Sequence, residues 1–166
     1  MENMEFLLVN FPKENIEKFL FDELKINDAK VKTSHFFDKE SGEDIEFAQI
    51  KSLYKILSPN GTGNIVLDQL KVGVPIADVV LALSFDEERG DVVFNFPEKE
   101  LLIEDKNSSE LKAKAVLEYL ANIREKFGVE KIRIGYESAA DDDTCLYELT
   151  GKDFDLDSAV KKIANT

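Results

Sequence analysis

The sequence predicts an α+β fold, a single domain over residues 1–166 with a mostly antiparallel sheet, two hairpins and helices packed against them. Three observations predict it. Val79 to Phe85 and Val92 to Phe96 are apolar, β-branched runs separated by Asp86-Glu87-Glu88-Arg89-Gly90-Asp91, a hairpin over about 79–96 with Gly90 free to take positive φ. Ile132, Ile134 and Tyr136 alternate with Lys131, Arg133 and Gly135, as in a strand with one face on a core and one in water. Between them, Ala113, Val116, Leu117, Leu120, Ile123 and Phe127 fall on one face of a long helix. At 166 residues the chain suits one core.

The elements follow in order. Phe6-Leu7-Leu8-Val9 reads as a buried strand, and Ile16, Phe19, Leu20 and Leu24 as one side of a helix over about 13–25, with Pro12 near its start. Val31 to Phe37 suits a second strand. Phe47, Ile50, Leu53, Tyr54 and Leu57 form a helical stripe over about 45–57, although Ile45 and Phe47 alone would suit a strand. Ser58-Pro59-Asn60-Gly61-Thr62-Gly63-Asn64 reads as a surface loop. Asn107 with Glu110 resembles a capping box opening a helix over about 108–127, which Gly128 ends. Cys145, Tyr147 and Leu149 alternate as a strand that pairs with Ile132–Tyr136 in a second hairpin over about 130–149, and a last helix, capped by Asp157, runs over about 157–164. Leu7-Leu8-Val9-Asn10-Phe11-Pro12 also echoes Val92-Val93-Phe94-Asn95-Phe96-Pro97; any buried strand ending in a proline turn would look alike.

Charge is segregated. The chain carries 34 acids and 21 bases, net −13, and two segments hold the whole excess: Asp86 to Asp105 is net −6 and Glu137 to Asp157 is net −7. Glu87, Glu88 and Asp91 sit at one hairpin tip and Asp141, Asp142 and Asp143 at the other. If the sheet brings both tips to the same end, they make one electronegative wall that a cationic partner would feel. Such acidity argues against nucleic acid and anionic membrane as partners. No leader-like segment follows Met1, the longest apolar run, Val79 to Leu83, is far too short to cross a bilayer, and the single cysteine suits a reducing compartment, so the expected location is the cytoplasm.

The chemistry-bearing residues do not form a catalytic set. Cys145 has one imidazole to work with, His35, and lies in a strand pattern where a lone cysteine is usually a small buried hydrophobe. A calcium loop starting at Asp141 needs Gly at its sixth place and Glu at its twelfth but finds Leu146 and Lys152. Asp153-Phe154-Asp155-Leu156-Asp157 starts better and fails at Ser158 and Ala164. Gly61-Thr62-Gly63 lacks the Lys-Ser/Thr of a phosphate loop. No metal site, cofactor or catalytic residue is expected.

What remains is a non-enzymatic acidic binding protein whose partner is a basic protein, as in bacterial inhibitors of the immunity or antitoxin type that block a cationic, often nuclease, toxin. Glu87, Glu88, Asp91, Asp141, Asp142 and Asp143 are the expected contacts. Tyr136 and Tyr147 are candidate anchors, although core packing is the commoner use of such a tyrosine. The competing readings are a metal-dependent hydrolase built from clustered carboxylates and a scaffold subunit of a larger assembly.

Overall fold

Strand β1 (Asn3–Pro12) is the spine of the structure, because both sequence-predicted hairpins pair with it. The computed structural model describes residues 2–151 and 153–165. The first hairpin is β5 (Val74–Phe85) with β6 (Arg89–Pro97), and the second is β7 (Lys131–Tyr136) with β8 (Cys145–Leu149). With β2 (Val31–Asp38), β3 (Glu43–Ile45) and β4 (Gly61–Val72), they make one antiparallel sheet in the order β3-β2-β4-β5-β6-β1-β7-β8.

Burial alternates along the central strands and defines two faces. Phe6, Leu8, Ile65, Leu81, Phe94 and Ile132 point inward, where α3 (Lys106–Phe127) buries Ala113, Val116, Leu117, Leu120, Ile123 and Phe127 against them. Phenylalanine supplies much of this core: Phe11, Phe19 and Phe127 have ring centroids 5.0 to 6.1 Å apart. Helix α4 (Leu156–Ala164) packs beside α3 and β8. Among the described residues, no helix packs on the opposite face of the sheet.

Several elements differ from the sequence prediction for local reasons. The 13–25 segment buries Ile16, Phe19, Leu20 and Leu24 as expected, but as a 3-10 turn, a short α1 (Ile16–Lys18) and a π turn over Phe19–Glu23. In place of one helix over 45–57 there are β3, a 3-10 turn at Phe47–Gln49 and α2 (Leu53–Ile56), because the backbone is extended at Ile50. The predicted loop 58–64 ends early, since β4 begins at Gly61. Gly63 allows the Phe36 ring to lie on its backbone, a close approach that a side chain would block, so this glycine is a strand residue and not a breaker. Asp105 caps α3 by accepting from Asn107 N at 3.2 Å, and Asp155 caps α4 by accepting from Ser158 N at 3.1 Å, two residues before each predicted cap. Gly128 ends α3 with φ 72°, as predicted. The two echoing segments belong to neighbouring antiparallel strands, β1 and β6, and each proline opens a 3-10 turn.

Lys13, in the first of those turns, is buried: Nζ donates to the Pro59 carbonyl at 3.1 Å and lies 5.9 Å from the Tyr54 ring centre. Burial, then repulsion from Lys39, lowers its pKa below 10.5, while Asp86 and Glu87 pull it back up. The native chain therefore holds fewer protons here than the unfolded chain just below pH 10.5, so this residue's share of stability grows as pH rises towards that value. Urea midpoints of wild type and Lys13→Met, compared from pH 7 to about 10, are expected to shift in favour of wild type as pH rises.

Candidate partner interface

The strand register decides where the two acidic tips lie. Arg89 pairs with Pro12 and Tyr136 pairs with Met4, so the tips sit at opposite ends of β1. Glu88 O accepts from Lys13 N at 2.8 Å at one end, and Glu137 N donates to Asn3 O at 3.1 Å at the other. Nine strand rises put them about 30 Å apart, several times the screening length of about 8 Å at physiological salt. The expected shared wall is therefore corrected: the two tips do not form one field. The tip at Asp86-Glu87-Glu88 lies instead beside the buried ammonium of Lys13.

A different grouping gathers acids at the Asn3 end. Glu98 N donates to Glu2 O at 3.1 Å, next to the bond between Glu137 and Asn3. This rim joins Glu98, within the first acidic segment, to Glu137, the start of the second. Above it stands the 137–144 loop, which is held from below by two residues of the open face. Arg133, with 11% of its side chain exposed, donates from Nε to Ala139 O at 2.7 Å, from Nη1 to Glu148 Oε2 at 2.6 Å and from Nη2 to Asp142 Oδ1 at 2.9 Å. Glu5 accepts from Ala139 N at 3.0 Å and from Asn95 Nδ2 at 3.1 Å, and Asn95 accepts from Asn3 Nδ2 at 2.8 Å. The hydrogen bond to Asp142 leads the forces that keep the guanidinium charged, against the opposing cost of burial. Inside the loop, Asp141 N donates to Ser138 O, Asp141 O accepts from Thr144 N and Cys145 N, and Thr144 Oγ1 donates to Ser138 O. Asp141, Asp142 and Asp143 are thereby presented to solvent on a fixed frame. The sequence marked these aspartates but not Arg133, Glu5 or Asn95 beneath them. Arg133 alternates with inward isoleucines, which foretells its face but not the loop that folds back over it.

The other candidate residues take varied positions. Glu87 and Glu88 are exposed, and Asp91 is partly buried, with Oδ1 accepting from Asn10 N at 3.2 Å. Tyr136 and Tyr147 pack on the core side. Tyr147 lies 6.2 Å from the Phe154 ring and 5.6 Å from Lys162 Nζ, and its hydroxyl pKa is raised by burial and then by Asp155.

One row of the open face crosses seven strands: His35, Asn64, Ala82, Val93, Leu7, Arg133 and Glu148 are successive cross-strand partners. It also separates the two residues of the weighed Cys-His pair, since β2 and β8 lie six strand spacings apart, roughly 29 Å. Burial pushes the Cys145 thiol pKa up, which disfavours the thiolate that a nucleophile needs. Among the described residues, no group of three or more His, Cys, Asp or Glu side chains is arranged to hold a metal ion.

Comparison with known proteins gives this frame a context. The model of the family described as PABL017 Cdi1I immunity protein matches residues 2–152. The chain belongs to this immunity protein family. Membership places it among inhibitors that act by binding and not among enzymes. A chain of the crystal structure of the toxic C-terminal tip of CdiA from Pseudomonas aeruginosa in complex with immune protein is 21% identical to this immunity protein. That match covers 90% of this chain and 97% of the other, with a TM-score of 0.65, and shows a shared fold. A Pseudomonas aeruginosa T6SS protein, PA0821, is 8% identical over 81% of this chain and 41% of its own, at a TM-score of 0.37, too weak to bear on fold or function. No curated protein matches the sequence. Among the described residues, no helix is long and apolar enough to cross a membrane.

Proposed function

We propose that this immunity protein protects its cell by binding and neutralising a toxin whose docking side is basic, and that it does so in the cytoplasm. The family match over residues 2–152 carries the reading. The protein in complex with immune protein in the similar crystal structure is the toxic tip of CdiA, and a partner of that kind is the one assigned to this chain. The basic character of the partner rests on the Asn3-end rim and the Arg133-held loop, where Glu137, Asp141, Asp142 and Asp143 are exposed. Mechanistically, the acidic loop raises the rate of encounter, while buried contacts elsewhere set the lifetime of the complex.

The test is co-expression and binding with a toxin fragment of the kind in the similar crystal structure, the toxic C-terminal tip of CdiA. Wild type is expected to restore growth. Replacing Glu137, Asp141 and Asp143 by their amides is expected to slow association about tenfold at low salt, with a smaller difference at high salt. Replacing Glu87 and Glu88, about 30 Å away, is expected to change it less. Equal association rates for all three proteins across the salt series would remove charge from the mechanism.

A further inference from the structure

We propose that the helix-free face of the sheet is the docking floor for the toxin, and that the 137–144 loop is a wall along one side of it. The proposal rests on the immunity reading and specifies its surface. Among the described residues, every helical segment that contributes to the core packs on the other face, so the outward residues of β4, β5 and β6 meet no helix, while on β1 the 137–144 loop reaches Glu5, and Leu7 is only 7% exposed. Their centre is apolar: Val66, Val80, Ala82, Val93 and Leu7 lie on adjoining strands in register. An eight-stranded sheet with one uncovered face normally lines that face with charged residues; here charge is held to the margins. On one margin Lys32 pairs with Asp68 and Asp78 at 3.3 and 2.6 Å, and on the other stands the acidic loop.

Area and charge together define the partner. Four strands about 4.8 Å apart, with three outward residues each, give a floor on the order of 400 Å². A stable complex needs about 800 Å² from each partner. The floor alone falls short, and the loop that rises from it supplies further contact on one side. The occupant is therefore a toxin surface with apolar side chains at its centre and Lys or Arg along the margin that meets Asp141, Asp142 and Asp143. Phe37, half exposed and outward on β2, is placed to anchor the opposite margin.

Ala82→Glu and Val93→Glu separate floor from field. Both add negative charge, so a purely electrostatic capture of a basic partner would be unchanged or faster, whereas docking on the floor would bury an unpaired carboxylate. With the same toxin fragment, each is expected to raise Kd at least 100-fold, while Glu87→Gln stays within threefold of wild type. Cysteine labelling covers any folding defect: in a Cys145→Ser background, Asn64→Cys and Ser84→Cys are expected to react with maleimide in the free protein and to be shielded by the fragment. Leu111→Cys on α3 is expected to react in both states. If the fragment binds wild type and Ala82→Glu equally and leaves Asn64→Cys reactive, the floor is overturned while the immunity reading stands. Shielding that appears without the fragment as protein concentration rises would give the floor to a second copy of this chain and overturn the proposal. A wild type that neither binds nor neutralises the fragment overturns the immunity reading, and the floor with it.

Discussion

Arg133→Met is expected to destabilise the protein by about 2–3 kcal/mol and to release the 137–144 loop from the sheet. The side chain is nearly buried and makes three hydrogen bonds, but they are not equal. Asp142 is 96% exposed on its side chain, so that pair contributes little once solvent screening is counted. The larger effects are the carbonyl of Ala139, a buried residue in an otherwise exposed loop, left without its donor, and Glu148, about one-third exposed, left without its strongest partner. A loss of that size lowers Tm by roughly 5–10 °C for a chain of this length. Arg133→Lys keeps a charge near Glu148 but loses the planar fork that reaches three acceptors, so an intermediate loss is expected. Urea denaturation reads the stability, and amide hydrogen exchange reads the release: residues 139–144 are expected to exchange at least tenfold faster in Arg133→Met, with β5 and β6 unchanged. The association rate with the toxin fragment is expected to fall as well, because a mobile loop must be ordered during capture. Unchanged exchange in the loop would show that Glu5 and the turn itself suffice to hold it.

The parts of the fold that were legible in the sequence are those in which local pattern and burial agree. The α3 face from Ala113 to Phe127, both hairpins and the outward placement of Arg133 all follow from periodicity, because one side of each element meets the core. Strand β4 was hidden by composition: Gly61-Thr62-Gly63-Asn64 reads as a breaker unless one knows that Phe36 lies on Gly63, a contact 27 residues away in sequence. The 45–57 region carries a helical stripe, yet only Leu53–Ile56 closes an α-helical turn, since Phe47 and Leu53 reach the core from separate short pieces. The acidic tips show the same limit. Their charge was countable, but their separation depends on which end of β1 each hairpin meets, and pairing register leaves no trace in a list of charges. The binding role was anticipated from the charge and the lack of a recognisable catalytic motif, and it is the family match over residues 2–152 that supports it.

Gly135→Ala is the second substitution expected to have a large effect, and it acts on the loop through backbone alone. Gly135 lies in β7 opposite Cys145, where the register with β8 shifts by a residue as the chain leaves the acidic loop. An added Cβ would stand well inside contact with the Thr144 carbonyl oxygen, 2.8 Å from Cys145 Cα and 3.1 Å from Leu146 N. All three are main-chain atoms, so no rotamer change relieves the clash and the start of β8 must move outward. That movement strains the 3.0 Å bond from Tyr136 N to the Thr144 carbonyl, which closes the base of the loop. Overpacking of this kind costs about 3 kcal/mol, or roughly 6–12 °C in Tm, and the loop shifts in whatever fraction remains folded. Gly63→Ala provides the comparison, since its Cβ would meet the buried Phe36 ring and not backbone, at the other side of the sheet. Both variants are expected to lose stability. After correction for the folded fraction, Gly135→Ala alone is expected to bind the toxin fragment more slowly, because it displaces Asp141, Asp142 and Asp143 from the frame that presents them. Equal association rates for the two variants would mean that the position of the loop does not matter for capture, and the wall would then be a structural cover for Glu5 and Arg133.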